Sequence, residues 1–436
     1  MKSQTNRYLL RQTRIYFGIL GLLLAVTGSG GAQAQPGSLI RYNKVAYLFQ
    51  EEIIEQASTL PLAELTQNDQ LGNLVELLAE YPLDYYRVVY ETTYQGNPVQ
   101  ASGLVIVPHH RPGRWPLLSY QHGTILPGIE HLAPSNYSVP EDFNPLNTNP
   151  EINFLGSVMA SHGYVVTMPD YLGYGESEGI PIQYTYTPSL AEVSRDMLRA
   201  VRELCWIEDI ALTEDLFLAG WSEGAGATMA LHRLLEAEDD PALQVSGSSP
   251  LSGFYNYTRM FREFATSEKE ELAAPIYLWS AWVLNQNTPY LQKHQMAIYR
   301  HYYQRTPEHF MLKAAWLATR EKSAENLLNP VLRQELIDGT ATDWLTATQV
   351  NDHYDWKAKA PVFLHHGAKD TILPVFHSED AYRAMTARGS SVKLYAYEED
   401  NHFTLLESYL ARTLQDFDAL QQAPTIVNTS SSSSLP

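Results

Sequence analysis

Apolar residues along this chain change their spacing several times, and the changes mark out elements. Within residues 35–84, leucines fall at helical intervals among polar loops: Leu60, Leu62 and Leu65, then Leu71, Leu74, Leu77 and Leu78. That spacing predicts an N-terminal helical extension, and it carries no recognisable chemistry. From Tyr85 the pattern turns extended, so that 86–90 and 100–107 read as an antiparallel hairpin with Gly96-Asn97 as its turn. Continuous apolar runs then alternate with helically spaced stretches. Strands are expected at 116–120, 164–168, 216–220, 245–247, 361–365 and 392–397, with helices at 190–204 and 225–235 between them. Strands apolar on both faces need cover on both faces, which predicts an α/β sheet flanked by helices.

One long stretch breaks the alternation. Residues 257–358 are mostly helical in pattern and rich in aromatics, including Tyr277, Trp279, Trp282, Tyr299, Tyr302, Tyr303 and Trp316, and read as a cap or lid inserted between two strands. The expected organisation is therefore a core in two parts, 85–256 and 359–422, with the cap between them. A serine-rich tail, 423–436, is expected to be disordered.

Composition and charge narrow the partners. The 436 residues are 44% apolar, 11% aromatic and 18% charged, which supplies a core and excludes a disordered polymer or a collagen-like fibre. With 30 basic against 49 acidic residues the formal charge is −19. Binding a phosphate backbone or an anionic membrane depends on Lys and Arg, so nucleic acid is not an expected partner. Cys205 is the single cysteine. It can close no intrachain disulfide, and within Leu204-Cys205-Trp206-Ile207 it reads as a buried, inert side chain.

Residues 1–34 fall into three zones: Lys2, Arg7, Arg11 and Arg14, then an apolar run at 15–26, then a small polar segment ending Ala32-Gln33-Ala34. A run of 12 apolar residues is too short to span a bilayer, which takes about 20. It suits a signal peptide cut after Ala34, and hence a secreted or periplasmic protein without stable membrane insertion. An uncleaved N-terminal anchor is the alternative.

The chemistry starts from a serine. A hydroxyl becomes a useful nucleophile only when a base takes its proton and donors hold the oxyanion it creates. The pattern Gly-x-Ser-x-Gly, a sharp strand-to-helix turn that presents the serine, occurs twice: Gly175-Glu176-Ser177-Glu178-Gly179 and Gly220-Trp221-Ser222-Glu223-Gly224. Ser177 follows a loop-like stretch and precedes Ile180-Pro181, where proline argues against a helix start. Ser222 follows the apolar run Leu216-Phe217-Leu218-Ala219 and leads into the small residues Ala225-Gly226-Ala227. Strand, elbow and helix come in the required order, which selects Ser222.

In such a sheet the acid and then the base follow the serine. The strand at 361–365 runs into Gly367-Ala368-Lys369-Asp370, placing Asp370 in a loop at a strand's C-terminal end. The strand at 392–397 runs into Glu398-Glu399-Asp400-Asn401-His402, placing His402 in the next loop. Asp370 is the expected acid and His402 the expected general base. His365 and His366 read as core or rim histidines, and His122, which precedes the serine, as a loop-ordering residue. The turn Gln121-His122-Gly123-Thr124 follows the strand at 116–120, so the backbone N–H of Thr124, with Gly123 as runner-up, and that of Glu223 are the expected oxyanion donors.

Tyr120-Gln121-His122-Gly123-Thr124, Gly163-Tyr164-Val165-Val166 with Pro169-Asp170-Tyr171-Leu172-Gly173-Tyr174-Gly175, the Ser222 elbow, Asp370 and His402 together resemble the α/β-hydrolase superfamily. Within it the chain is similar to secreted lipases and esterases with a large helical cap, of the kind represented by the fungal secretory lipase family. The resemblance implies a mainly parallel eight-stranded sheet and hydrolysis of a small-molecule or lipid ester by acyl transfer, with no metal or organic cofactor. A serine at the elbow disfavours dehalogenase and epoxide hydrolase chemistry, where the superfamily uses aspartate. The rival readings are a serine exopeptidase on the same fold and a non-catalytic binding protein. About 50 residues between Gln35 and the hairpin are too few for the propeller of prolyl-oligopeptidase-like enzymes.

Overall fold

A computed structural model describes residues 35–58, 71–109, 113–138, 149–269, 273–288 and 323–422. The leader 1–34, the tail 423–436, Leu60, Leu62 and Leu65, and the cap aromatics Tyr299, Tyr302, Tyr303 and Trp316 lie outside the described residues.

One mixed sheet of nine strands organises the molecule. In chain order they are β1 Leu39–Leu48, β2 Leu83–Tyr94, β3 Asn97–Pro108, β4 Arg114–Gln121, β5 Val165–Pro169, β6 Ala211–Trp221, β7 Val245–Leu251, β8 Val362–Gly367 and β9 Val392–Tyr397. Their spatial order is β1-β2-β3-β5-β4-β6-β7-β8-β9. The first three pair antiparallel and β3 pairs antiparallel with β5; from β5 through β9 every pairing is parallel. The sheet thus holds one strand more than the eight that the resemblance implies. The extra one is β1, in the segment read as a helical extension. It lies at the sheet edge and is mostly half-buried or exposed, and register shifts at Leu39/Arg41 and Lys44/Ala46 blur its alternation. In the β2–β3 hairpin Tyr94 pairs with Asn97, so the turn is Gln95-Gly96, one residue earlier than expected. Both turn residues have positive φ, 51° and 77°, as a two-residue hairpin turn matching the strands' twist requires.

The helices are α1 Gln50–Ser58, α2 Leu71–Leu78, α3 Ser157–Ser161, α4 Thr187–Ile207, α5 Glu223–Glu238, α6 Tyr257–Thr266, α7 Ala274–Asn287, α8 Ala324–Leu327, α9 Pro330–Asp338, α10 Thr342–Thr348, α11 Phe376–Ala387 and α12 Leu406–Gln422. A π-helical turn, Glu151–Gly156, runs directly into α3. The sheet's alternating side chains feed two cores. Phe217 and Ala219 of β6 pack with Ile53 of α1, Val75 of α2 and Tyr409 and Phe417 of α12. Leu216 and Leu218 of the same strand pack with Met197 and Val201 of α4 and Leu231 of α5. Buried Leu190, Val193, Met197, Val201 and Leu204 repeat at three- and four-residue steps, which gives α4 one apolar stripe for that face. Cys205 is buried there, and burial pushes its thiol up to about 12.

The insertion between β7 and β8 supplies α6 to α10 and a third core built on Phe254, Tyr257, Phe261, Trp279 and Trp344. It is tied to the sheet domain by Tyr184, whose ring stacks on Trp279 at 3.8 Å, and by Thr187, which hydrogen-bonds Asn351 and His353. Among the described residues no helix is long and apolar enough to cross a membrane.

Candidate active site

The parallel strands all deliver their C-terminal ends to one edge, and the candidate residues lie in the loops there. At the end of β6 the chain turns through Trp221-Ser222 into α5. Ser222 has φ 60° and ψ −116°, a region that non-glycine residues rarely occupy. The elbow is held by its own amide, which donates to Leu251 O (2.9 Å) at the end of β7. The flanking glycines are steric necessities: a Cβ on Gly224 would lie 1.9 Å from Gln121 O, and one on Gly220 would lie 2.5 Å from Gly224 O.

The loops after β8 and β9 meet this turn. His402 Nε2 stands 3.0 Å from Ser222 Oγ, and His402 Nδ1 stands 2.6 Å from Asp370 Oδ2. The tautomer that satisfies both contacts carries its proton on Nδ1, donating to Asp370 and accepting from Ser222. Asp370 Oδ1 accepts the N–H groups of Ile372 and Leu373, which fixes the carboxylate in its loop. Burial opposes its ionisation, but hydrogen bonds from His366 and His402, with their charge, hold the carboxyl well below the usual carboxylate range. Trp221 adds a cross-brace by donating its indole N–H to His402 O (3.1 Å). Ser222, Asp370 and His402, separated by up to 180 positions in sequence, are thus brought together.

The turn after β4 lies behind the nucleophile. Gly123 N–H is occupied, donating to both carboxyl oxygens of Glu151 at 2.9 and 3.1 Å. Thr124 N–H has no hydrogen-bond partner among the described residues, and neither does that of Glu223. Of the two candidate donors in this turn, Gly123 is engaged by Glu151. Thr124 Oγ1 lies 3.2 Å from the Tyr184 hydroxyl. His122 is fully buried, with Nδ1 2.7 Å from Gly123 O and Nε2 3.2 Å from Asp170 O, and burial lowers its basicity.

Glu151 is the residue that sequence reasoning missed. It opens the π-helical turn, accepts Tyr120 O–H at 2.6 Å as well as Gly123 N–H, and burial pushes its carboxyl up to about 7. Its local signal, an acid heading the apolar run Ile152-Asn153-Phe154-Leu155, gives no hint of Gly123 lying 28 residues upstream. The second elbow pattern is accounted for by Ser177 itself. That side chain is buried in a 3-10 turn, where it accepts Gly173 N–H and donates to Tyr174 O. His365 is buried against Tyr397, and His366 bonds Ser378 and Leu373 O behind Asp370.

A small cavity of about 20 Å³ opens on Ser222 and Glu223, walled by Tyr184, Thr185 and Phe254 and, from the insertion, by Tyr257, Met260, Ile276, Tyr277 and Ser280. A larger one of about 580 Å³, between the hairpin turn and α7, includes none of Ser222, Asp370 and His402. Among the described residues no group of three or more His, Cys, Asp or Glu side chains is placed to hold a metal ion.

Comparison with known proteins agrees with this architecture. A protein from Legionella pneumophila assigned as a hydrolase superimposes with a TM-score of 0.73 at 25% identity, over 89% of this chain and 99% of its own. The cell-wall-degrading esterase LipA of Xanthomonas oryzae gives 0.70 at 19% identity, over 88% and 99%. Candida antarctica lipase A gives 0.57 at 18%, over 84% and 78%. The search of curated proteins returned no match. The family model described as serine aminopeptidase, S33, matches residues 152–408, a span that holds the elbow, the acid loop and the histidine loop; the chain is an α/β-hydrolase and belongs to that family.

Proposed function

We propose that this hydrolase cleaves carboxylic esters through an acyl-enzyme formed on Ser222. The observation that carries the reading is the pair of contacts from Ser222 Oγ to His402 Nε2, 3.0 Å, and from His402 Nδ1 to Asp370 Oδ2, 2.6 Å, at a strained strand-to-helix turn. In this mechanism His402 takes the Ser222 proton as Oγ attacks the ester carbonyl. Asp370 holds the imidazole in the productive tautomer and stabilises the imidazolium, while the backbone N–H groups of Thr124 and Glu223 receive the oxyanion. Collapse of the tetrahedral intermediate breaks the ester C–O bond, and the alcohol leaves with the proton from His402. Water, deprotonated by the same imidazole, then releases the acid and restores the serine.

Two substrate readings compete. The solved structures named as an esterase and a lipase favour ester cleavage. The family's own description favours an aminopeptidase, which uses the same relay on an amide. Turnover of p-nitrophenyl esters against aminoacyl p-nitroanilides decides between them: faster ester turnover is expected, and faster anilide turnover exchanges the two readings. Labelling with a fluorophosphonate tests the nucleophile. It is expected to be lost in Ser222→Ala and kept in Ser177→Ala; labelling that survives in Ser222→Ala defeats the assignment, and a wild type that never labels points to a binding protein. We infer export as well, since residues 1–34 have the three zones of a cleavable leader. N-terminal sequencing of the exported protein is expected to start at Gln35, and a retained leader refutes it.

A further inference from the structure

The ester mechanism uses the backbone of Glu223 and leaves its side chain idle, yet that side chain is built in with care. It is 4% exposed and shares with Ser222 the small cavity at the elbow. One carboxyl oxygen accepts Thr185 N–H at 2.8 Å; the other has no hydrogen-bond partner among the described residues. Thr185 reaches this position with φ 54°, a left-handed conformation that a β-branched residue adopts only under strain. Its hydroxyl continues into a chain of contacts through Ser280 to the Tyr257 hydroxyl on the insertion. The lining thus combines these polar groups with apolar ones, Met260 and Leu373 among them.

Among the described residues no Lys, Arg or His lines the cavity, and a charged neighbour that acts on Glu223 is another acid, Glu151. A buried carboxylate without a cation is costly, so the group holds its proton, and burial pushes it up to about 8. A protonated carboxyl has one strong O–H donor. The cavity, at about 20 Å³, admits only a small group.

Resting on the ester reading above, we propose that Glu223 is a specificity-determining residue whose carboxyl O–H donates to an oxygen on the acyl group, selecting short acyl groups with an α-oxygen substituent over their hydrocarbon isosteres. The acyl side is indicated because the Glu223 N–H is assigned to the carbonyl oxygen, so its side chain flanks the acyl carbon.

Three isosteric esters test this: methyl glycolate, methyl propionate and methyl glycinate, followed by proton release at pH 6.5. Each kcat/KM is divided by the ester's rate with hydroxide, which removes the intrinsic activation by an α-oxygen. One hydrogen bond to a buried group corresponds to a glycolate preference over propionate of about tenfold in the wild type. The preference is expected to persist in Glu223→Gln, whose amide also donates, and to fall to about one in Glu223→Leu. Each ratio is taken within one protein, so a general loss of activity in a variant cancels, and the wild-type ratio needs no variant to fold. Equal normalised rates in the wild type, or a preference that survives Glu223→Leu, overturn the proposal. A preference for glycinate overturns it too, by making the group a counter-ion for an amine. Absence of both ester turnover and fluorophosphonate labelling instead overturns the hydrolase reading and this one with it.

Discussion

Asp370 shows how much one side chain is asked to do under the proposed mechanism. One oxygen is committed to the Ile372 and Leu373 amides, the other to His402, and its low proton affinity keeps it ionised across any working pH. Asp370→Asn keeps the shape but replaces an acceptor with a donor, so His402 is turned to the tautomer that cannot accept the Ser222 proton. The expected result is a fall in kcat of about 10³- to 10⁴-fold with KM little changed, read by steady-state kinetics on ester substrates. A fall of less than tenfold with an unaltered Tm removes Asp370 from the role. At this scale the sequence was informative where spacing and order carry meaning: Ser222, Asp370 and His402 each lie just past a strand, and all three meet. It was silent where meaning comes from contact alone. Glu151 and Thr185 acquire their interest from partners 28 and 38 residues away, and no periodicity reports that.

Elements were legible in proportion to their burial. β5 and β8 are buried at every position, so their apolar runs stand out, α4 carries a stripe that reads cleanly, and α5 is buried continuously from Glu223 to His232. β1 was hidden because an edge strand needs no continuous apolar face and its irregular register breaks the period of two. The π-helical turn before α3 was likewise not legible, since its six residues carry no pattern that distinguishes it from an α-helix. The last helix, α12, packs its apolar side chains against the sheet. Phe417 of α12 is fully buried, with its ring 4.4 Å from Phe217 and 6.5 Å from Phe363. Phe417→Ala removes that stack and leaves a cavity between α12 and the sheet, a loss of about 3–5 kcal/mol. Urea unfolding monitored by tryptophan fluorescence is the check, and a cost below about 1 kcal/mol means that α12 collapses into the gap or contributes little. Since α12 follows the His402 loop directly, a loosened helix is expected to depress activity before it unfolds the protein.

The formal charge of −19 counts every carboxyl as ionised, including those of Glu151 and Glu223, whose burial at the heart of the site favours the protonated form. This has a sign at the level of global stability. Glu151 titrates near 4.5 in an unfolded chain and about 7 in the folded one. Below 4.5 both states hold the proton and its stabilising contribution is complete; as pH rises toward 7 the unfolded chain ionises freely while the folded one resists, so stability falls and then levels. The span corresponds to about 3 kcal/mol at 1.36 kcal/mol per unit. Glu223 acts in the same direction, up to about 8, whereas Asp370 acts in the opposite one, losing its contribution only in strong acid. General charge repulsion also grows with pH, so the wild-type curve cannot assign the slope to one residue. Glu151→Gln does, because an amide can still accept Gly123 N–H and Tyr120 O–H on its oxygen while having no proton to lose. Unfolding free energies of the two proteins at pH 5 and pH 8 are therefore expected to converge or reverse, with the variant gaining about 2–3 kcal/mol on the wild type between the two. Parallel curves mean that the carboxyl is already ionised where it lies, which moves the charge beside Gly123 into the ground state and makes the oxyanion loop an electrostatically less favourable seat for a developing negative charge.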